Sequence, residues 1–247
     1  MVLDGLPGLG EEMETDPGGP ADTRMMGIVH GALRRDLERA RLVLESHAVP
    51  DARRAALAEH LVWAMDFLHH HHQGEDAGLY PLVRRKDPSL TPVLDAMDAE
   101  HHAITPAMDE VTAAARAWAD DPGQQERVAA AVAALRTVLD PHLRHEEVEM
   151  MPLVERSLTH REHEDWEQTY NVKPKKTAQL AFEGHWMVDN AGAEDRSTVL
   201  HVVPPVPRFL LVNLMGRPYA RRREALWAGT AAADVPLLTL AELERRG

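Results

Sequence analysis

The chain has no cysteine among its 247 residues. Disulfides, thiolate metal sites and cysteine nucleophiles are therefore excluded. Aromatic residues are scarce as well, with five Trp, three Tyr and three Phe. Alanine, leucine and charged residues dominate instead, and this composition favours an all-α protein.

The sequence also lacks an excess of positive charge and long apolar runs. Its formal net charge of -13 argues against nonspecific binding to nucleic acid or to an anionic membrane. No apolar run approaches the ~20 residues needed to span a bilayer. The N-terminal segment 1–23 has neither a basic start nor an apolar core, so we expect no signal peptide and a cytoplasmic protein.

A length of 247 residues fits one large domain or a domain with an appendage. Residues 1–23 lack periodic apolar residues and are predicted to form a disordered tail. Residues 24–156 contain four long stretches with the apolar period of helices. Residues 157–247 are predicted to form a helical extension that packs on this domain and includes an apolar helix at 208–215.

The four long helices are predicted at about 23–46, 52–85, 92–119 and 124–156. Short turns containing proline or glycine separate them. Helices of this length joined by short turns indicate an up-down-up-down four-helix bundle.

Two copies of one motif lie in the second and fourth of these helices. His71-x-x-x-Glu75 and His142-x-x-x-Glu146 are each followed directly by a second acid and then, at the same spacing, by Pro-Leu-Val. The separation of the two motifs, here called the repeat offset, also carries His30 onto His101. Because a helix places residues i and i+4 on one face, the His and the Glu of each motif point the same way.

Apolar positions of the first helix pair fall on apolar positions of the second at the repeat offset. The matched pairs are Leu33/Ile104, Leu37/Met108, Ala40/Val111, Leu57/Val128, Leu61/Val132 and Leu68/Leu139. This matching predicts a duplicated helix hairpin that cannot bury its apolar stripe alone. Two such hairpins around a pseudo-twofold axis would bring four histidines and two glutamates into the core.

One histidine and one His-x-x-x-Glu motif, occurring twice, are what a two-metal site requires. Borderline metals such as iron accept imidazole and carboxylate together, and burying these groups unpaired would be very costly. The sequence therefore predicts a metal site with six ligands. They are His30, His71, Glu75, His101, His142 and Glu146.

At these motifs the sequence resembles the hemerythrin-like family, the HHE cation-binding domains, over about residues 24–156. The resemblance implies a four-helix bundle with a non-haem di-iron centre, carboxylate-bridged and carrying an oxo or hydroxo bridge. By the same resemblance, the four histidines would be terminal ligands, and Glu75 and Glu146 would bridge the two irons. Family members bind dioxygen, sense oxygen or iron, or act on peroxide, nitric oxide or small organic substrates.

The sequence departs from the oxygen-carrying members at one ligand position. Those proteins have a second histidine one turn after the first on helix 3, where this chain has Thr105. Either a neighbour such as His102, Asp76 or Glu147 completes the shell, or one iron keeps an open position. An open position suits chemistry better than reversible storage of dioxygen.

Other polar clusters are read as structural or solvated. His69, His70 and His72 occupy helix faces other than that of His71, so we expect them to be second-layer or solvent-facing residues. The basic side chains at 217–223 are expected to pair with carboxylates of the bundle, because no nucleic-acid recognition motif is present.

These features predict an oxidoreductase whose di-iron centre activates dioxygen or peroxide, with a small organic substrate and an electron donor as partners. The extension would then cover the mouth of the bundle and shape a substrate pocket. A second interpretation is a protein that senses or stores dioxygen, nitric oxide or iron without turnover. A third is a helical protein in which the metal only stabilises the fold.

Overall fold

A computed structural model describes residues 16–201 and 214–246 of the chain. Four long helical segments form its bundle, and the predicted all-α four-helix architecture is confirmed. They comprise α1 (Arg24–Leu44), α2 (Asp51–Gly74) with α3 (Tyr80–Lys86), α4 (Thr91–Asp120), and α5 (Gln125–His145) with α6 (Met151–Ser157). In this described part, no helix combines the length and the apolarity that crossing a bilayer requires.

The second and fourth segments differ from prediction in one respect. Each was predicted as one continuous α-helix, but a single wide turn interrupts each, π1 (Glu75–Leu79) and π2 (Glu146–Met150). In these turns the N–H groups of Tyr80 and Met151 donate to the carbonyls of Glu75 and Glu146. The two turns are related by the repeat offset, so they belong to the duplication.

A proline follows each wide turn at its second helical position, Pro81 after π1 and Pro152 after π2. Proline has no N–H to donate, and its ring collides with the carbonyl one turn earlier in a regular α-helix. A π turn relieves that collision, and such turns are frequent at functional sites. Apolar periodicity contains no signal for this local change of pitch.

The core of the bundle follows the predicted repeat. All six apolar pairs matched at the repeat offset are buried, as are most of the neighbouring inward positions. α1 packs on α5, α5 on α4, and α4 on α2. Burial of one apolar face of each helix against its neighbours is what stabilises a bundle of this kind.

The C-terminal residues add short helices that pack on one side of the bundle. They are α7 (His160–Glu167), π3 (Gln168–Val172), α8 (Thr177–Met187), α9 (Ala193–His201), α10 (Arg217–Trp227) and α11 (Leu240–Arg246). α8 and α9 contact α1, and α10 contacts α2. The predicted apolar helix at 208–215 lies almost entirely outside the described residues.

Part of the predicted N-terminal tail is in contact with this region. Residues 1–15 lie outside the described residues, but Ala21 N–H donates to Leu158 O at 3.1 Å, and His160 N–H donates to Gly19 O at 2.8 Å. Ala21 is buried. The residues after 16 therefore differ from a disordered tail, because their backbone groups are paired with the end of the bundle.

Candidate metal centre

The bundle brings all six predicted ligand side chains into one buried cluster. α1 supplies His30, α4 supplies His101, and the two His-x-x-x-Glu motifs supply the remaining four side chains at the junctions with π1 and π2. All six are buried. The arrangement follows from i, i+4 geometry within each motif and from the duplication between motifs.

Glu75 lies between histidines from different hairpins. Its Oε1 is 3.2 Å from His71 Nε2, and its Oε2 is 3.7 Å from His101 Nε2. Glu146 Oε2 is 3.4 Å from His30 Nε2 and 3.8 Å from His142 Nε2. His30 Nε2 and His71 Nε2 are 3.2 Å apart. Each carboxylate therefore contacts one histidine from each hairpin.

A second layer of carboxylates orients the histidines. His30 Nδ1 lies 2.8 Å from Glu147 Oε1, and His101 Nδ1 lies 2.7 Å from Asp76 Oδ1. Both acids directly follow a glutamate of the cluster, so this layer obeys the repeat as well. A proton on Nδ1 in each bond leaves the Nε2 lone pair free to bind a cation.

His142 has an orienting partner that breaks the repeat. Its Nδ1 lies 2.9 Å from Glu100 Oε2, and Glu100 Oε1 also contacts His145 Nδ1 at 2.7 Å. The repeat offset pairs Glu100 with Val29, so the first hairpin has no equivalent carboxylate at that position for His71. Sequence reasoning missed Glu100, because its link to His142 crosses between α4 and α5.

Several atoms at the centre have no hydrogen-bond partner among the described residues. Both oxygens of Glu75, Oε2 of Glu146, and Nε2 of His101 and of His142 are buried and unpartnered. A buried unpaired polar atom costs about 1–3 kcal/mol, and more when it is charged. A cation between these atoms would remove that cost, so the donor set fits bound metal.

Burial is the main cause of the pKa shifts in the cluster. Burial, followed by the neighbouring charge of Glu146, raises the pKa of Glu75 well above its usual value. Burial lowers the pKa of His71 well below 6.5 and that of His142 to about 4. Both imidazoles are therefore neutral near pH 7, as metal ligands must be, and a cation would reverse the penalty on the Glu75 carboxylate.

Residues 21–154 match the family model of the hemerythrin HHE cation-binding domain, more than half of the chain. The chain belongs to this family. No curated protein and no solved structure gives a significant match. As an HHE-domain protein with two buried groups of donor side chains, it is suited to binding metal cations.

Asp76, Glu147 and His102 are the candidates to replace the ligand that this HHE domain lacks at Thr105. None of them lies in a position to bind the metal. Asp76 and Glu147 accept hydrogen bonds from the histidines instead, and exposed His102 contacts Asp98 O through Nδ1 at 2.7 Å. Thr105 donates from Oγ1 to His101 O at 2.9 Å. This bond to the preceding turn directs the hydroxyl back along α4 and away from the centre.

Of the three histidines predicted to be second-layer or solvent-facing, His72 lies in the second layer. His69 and His70 are exposed, but His72 is buried and its ring stacks on that of His101 at 4.0 Å between centroids. A ring nitrogen of His72 lies within 4.8 Å of ligand atoms of His101 and His142. The inward face of a bundle helix spans at least about 100°, so two consecutive residues can both face the core.

The first part of the extension covers the outer side of π1. Trp166 Nε1 donates to Gly74 O at 2.8 Å, and Tyr170 OH donates to Ala77 O at 3.1 Å. A π turn changes the backbone hydrogen-bonding pattern of a helix, so some carbonyls lose their usual N–H donor. Trp166 and Tyr170 donate to two such carbonyls near Glu75. The C-terminal extension thus contacts the turn that carries a metal-site residue.

Gly78 allows this close contact. A Cβ atom at position 78 would lie 2.7 Å from Trp166 Cδ1 and still closer to the Tyr170 ring. We expect Gly78→Ala to destabilise the protein by about 1–3 kcal/mol, as overpacked sites do, measured by urea unfolding. Gly184→Ala is the control, since a Cβ there meets nothing within 4 Å. That variant should be neutral or gain up to about 1 kcal/mol, and equal behaviour of the two would refute the steric argument.

The basic side chains of α10 pair partly as predicted. Arg222 Nη2 lies 2.6 Å from Glu59 Oε1 on α2, so this arginine does pair with the bundle. Arg223 Nε instead lies 2.7 Å from Asp189 Oδ1, within the extension itself. For Arg223 the prediction is wrong, because tertiary packing places Asp189, which follows α8, beside α10.

Proposed function

We propose that this protein holds two iron ions and uses them to bind and activate dioxygen, peroxide or nitric oxide, as an oxidoreductase acting on a small substrate. One observation carries the proposal. The two oxygens of Glu75 lie beside histidines of different hairpins, at 3.2 and 3.7 Å. A carboxylate in this position can give one oxygen to each of two metal ions.

The ligand types favour iron. Imidazole with carboxylate suits borderline divalent metals, and the chain offers no thiolate. His30 and His71 would hold one ion, and His101 and His142 the other. Glu75 and Glu146 would be the carboxylate ligands of the centre. When bound, iron would supply Lewis acidity and a redox couple for dioxygen, peroxide or nitric oxide.

Open coordination positions favour reactivity over simple storage. Each pair of histidines shares the two glutamates, and Thr105 is engaged with His101 O. Asp76 and Glu147 are engaged with Nδ1 atoms and so orient ligands. A metal with few protein donors keeps room for an exogenous molecule, which is the usual arrangement of catalytic metal sites.

A surface pocket of about 430 Å³ lies beside the cluster, between α3 and α4. Tyr80 is buried at its inner end, and Asp76, Arg84, Arg85 and Asp98 line its more exposed part. Tyr80 OH donates to Glu146 Oε1 at 3.1 Å, and the Tyr80 ring stacks on His101. A small organic substrate bound here would contact side chains that touch the metal-site residues directly.

The test uses purified full-length protein loaded anaerobically with Fe(II). We expect two irons per chain by elemental analysis, and an absorption change on exposure to dioxygen, peroxide or nitric oxide. Repeated consumption of peroxide or of a reductant in the presence of dioxygen would support an enzyme. An iron content of two without any turnover across such a panel would rule out the enzymatic part of the proposal.

A sensing or storage function is the second candidate, and the contacts at π1 favour it. Trp166 and Tyr170 hydrogen-bond to carbonyls of the segment that carries Glu75. A change in the position of Glu75 would therefore move the carbonyls that Trp166 and Tyr170 bind. The extension would then transmit this displacement to a partner. A stable, reversible complex with dioxygen or nitric oxide, formed without turnover, would support this candidate.

A further inference from the structure

The position of His72 is the clearest departure from the duplication at the metal centre. The six predicted ligands, and the acids that orient His30 and His101, have chemical counterparts on the other hairpin at the repeat offset, whereas Glu100 and Tyr80 do not. The counterpart of His72 is Leu143, which is fully buried. One side of the centre therefore has an additional imidazole where the other side has an aliphatic side chain.

The ring of His72 crosses that of His142 at 86°, as the rings of the ligand pairs do, but it lies differently against His101. The rings of His30 and His71 cross at 84°, and those of His101 and His142 cross at 75°. Steep crossing allows the lone pairs of two imidazoles to converge on one ion. The rings of His72 and His101 are nearly parallel, at 12° and 4.0 Å between centroids, so an ion in the plane of one ring lies outside the plane of the other. His72 is therefore unsuited to share an ion with His101.

The hydrogen-bonding capacity of the His72 ring is also unsatisfied. Its Nε2 is buried and makes no hydrogen bond with the described residues. None of the Nδ1-bound carboxylates that orient His30, His101 and His142 contacts His72. Leaving this nitrogen unpartnered in the core is costly. A small polar molecule bound on the His101 side would satisfy it.

We propose that His72 hydrogen-bonds a small ligand, such as peroxide, that binds on the His101–His142 side of the metal centre. This inference rests on the proposed di-iron function. It assigns the ligand to one side, because Leu143 offers no hydrogen bond at the equivalent position on the other. His72 is a positioning residue, and it acts on the exogenous molecule.

The test uses azide, a small anion with hydrogen-bond acceptors, as the probe. It is titrated into the oxidised iron-loaded protein and followed by absorption, together with the iron content of each variant. We expect His72→Leu, which copies the residue at 143, to keep two irons and to bind azide about tenfold more weakly or worse. His72→Gln retains a donor and should recover part of the affinity. His102→Leu changes an exposed imidazole next to a ligand and should leave the affinity unchanged.

Four results would overturn the assignment. Unchanged azide affinity in His72→Leu would mean that no hydrogen bond from His72 reaches the ligand. Loss of one iron in that variant would make His72 a metal ligand instead. A wild-type protein that holds two irons and binds no azide would refute this inference alone, whereas one that holds fewer than two irons would refute the proposed function as well. Thermal melting of the metal-free variants confirms folding, since removing an unpartnered imidazole should not lower stability.

Discussion

Glu75→Ala is expected to hold at most one iron per chain after loading under conditions that give the wild type two. Glu75 is fully buried, and its two oxygens lie beside His71 and His101. Removing the carboxylate takes a donor from both ions and leaves their positive charges less compensated in a region of low polarity. Elemental analysis after removal of loose metal, with iron spectra, measures the effect.

Glu149→Ala is the matched control for this variant. Glu149 lies on π2, one turn from a residue of the centre, but its side chain is 65% exposed and its ion pair is with His145 at 3.5 Å. It should retain two irons. Glu146→Ala should behave like Glu75→Ala because of the duplication. Full iron occupancy in Glu75→Ala would remove that residue from the centre, and equal loss in the control would indicate a general effect of charge.

Asp36→Ala is expected to destabilise the protein by about 3–5 kcal/mol, the usual cost of breaking a buried ion pair. Asp36 is buried on α1 and accepts hydrogen bonds from Arg35 at 2.8 Å, His60 at 2.7 Å and Trp186 at 2.7 Å. Arg35 is fully buried. Burial opposes ionisation of Asp36, but the charge of Arg35 and the bond from His60 hold its pKa well below the usual range.

The variant would leave Arg35 Nε, His60 Nε2 and the Trp186 indole without their acceptor, while Arg35 Nη1 keeps its bond to Asp189 O. Because Trp186 belongs to α8, the loss should weaken the attachment of the extension to α1 as well as the bundle. Urea unfolding at one fixed state of metal loading measures the free energy. Glu38→Ala is the control, since this neighbouring carboxylate is partly exposed and its pairs with Arg41 and Arg136 lie near the surface. Such pairs contribute about 0–1 kcal/mol, and a similar loss in both variants would contradict the argument.

The sequence by itself determined the helical bundle, the duplication and the cluster of four histidines and two glutamates. These features depend on local spacing. A helical period sets the buried face of each helix, and i, i+4 spacing places His71 with Glu75 on that face. The repeat offset then relates the two halves without knowledge of any contact between them. The predicted bounds of the four long segments lie close to the observed ones for the same reason.

Tertiary structure decided the features that depend on contacts between helices. The bond from His142 to Glu100, the stacking of His72 on His101, and the docking of Trp166 on Gly74 join residues that are far apart in the chain. Periodicity assigns a residue to a face but does not give the width of that face or its neighbours across the core. The π turns at Glu75 and Glu146 are local, yet they also escaped prediction, because they change the pitch of a helix without changing its apolar pattern.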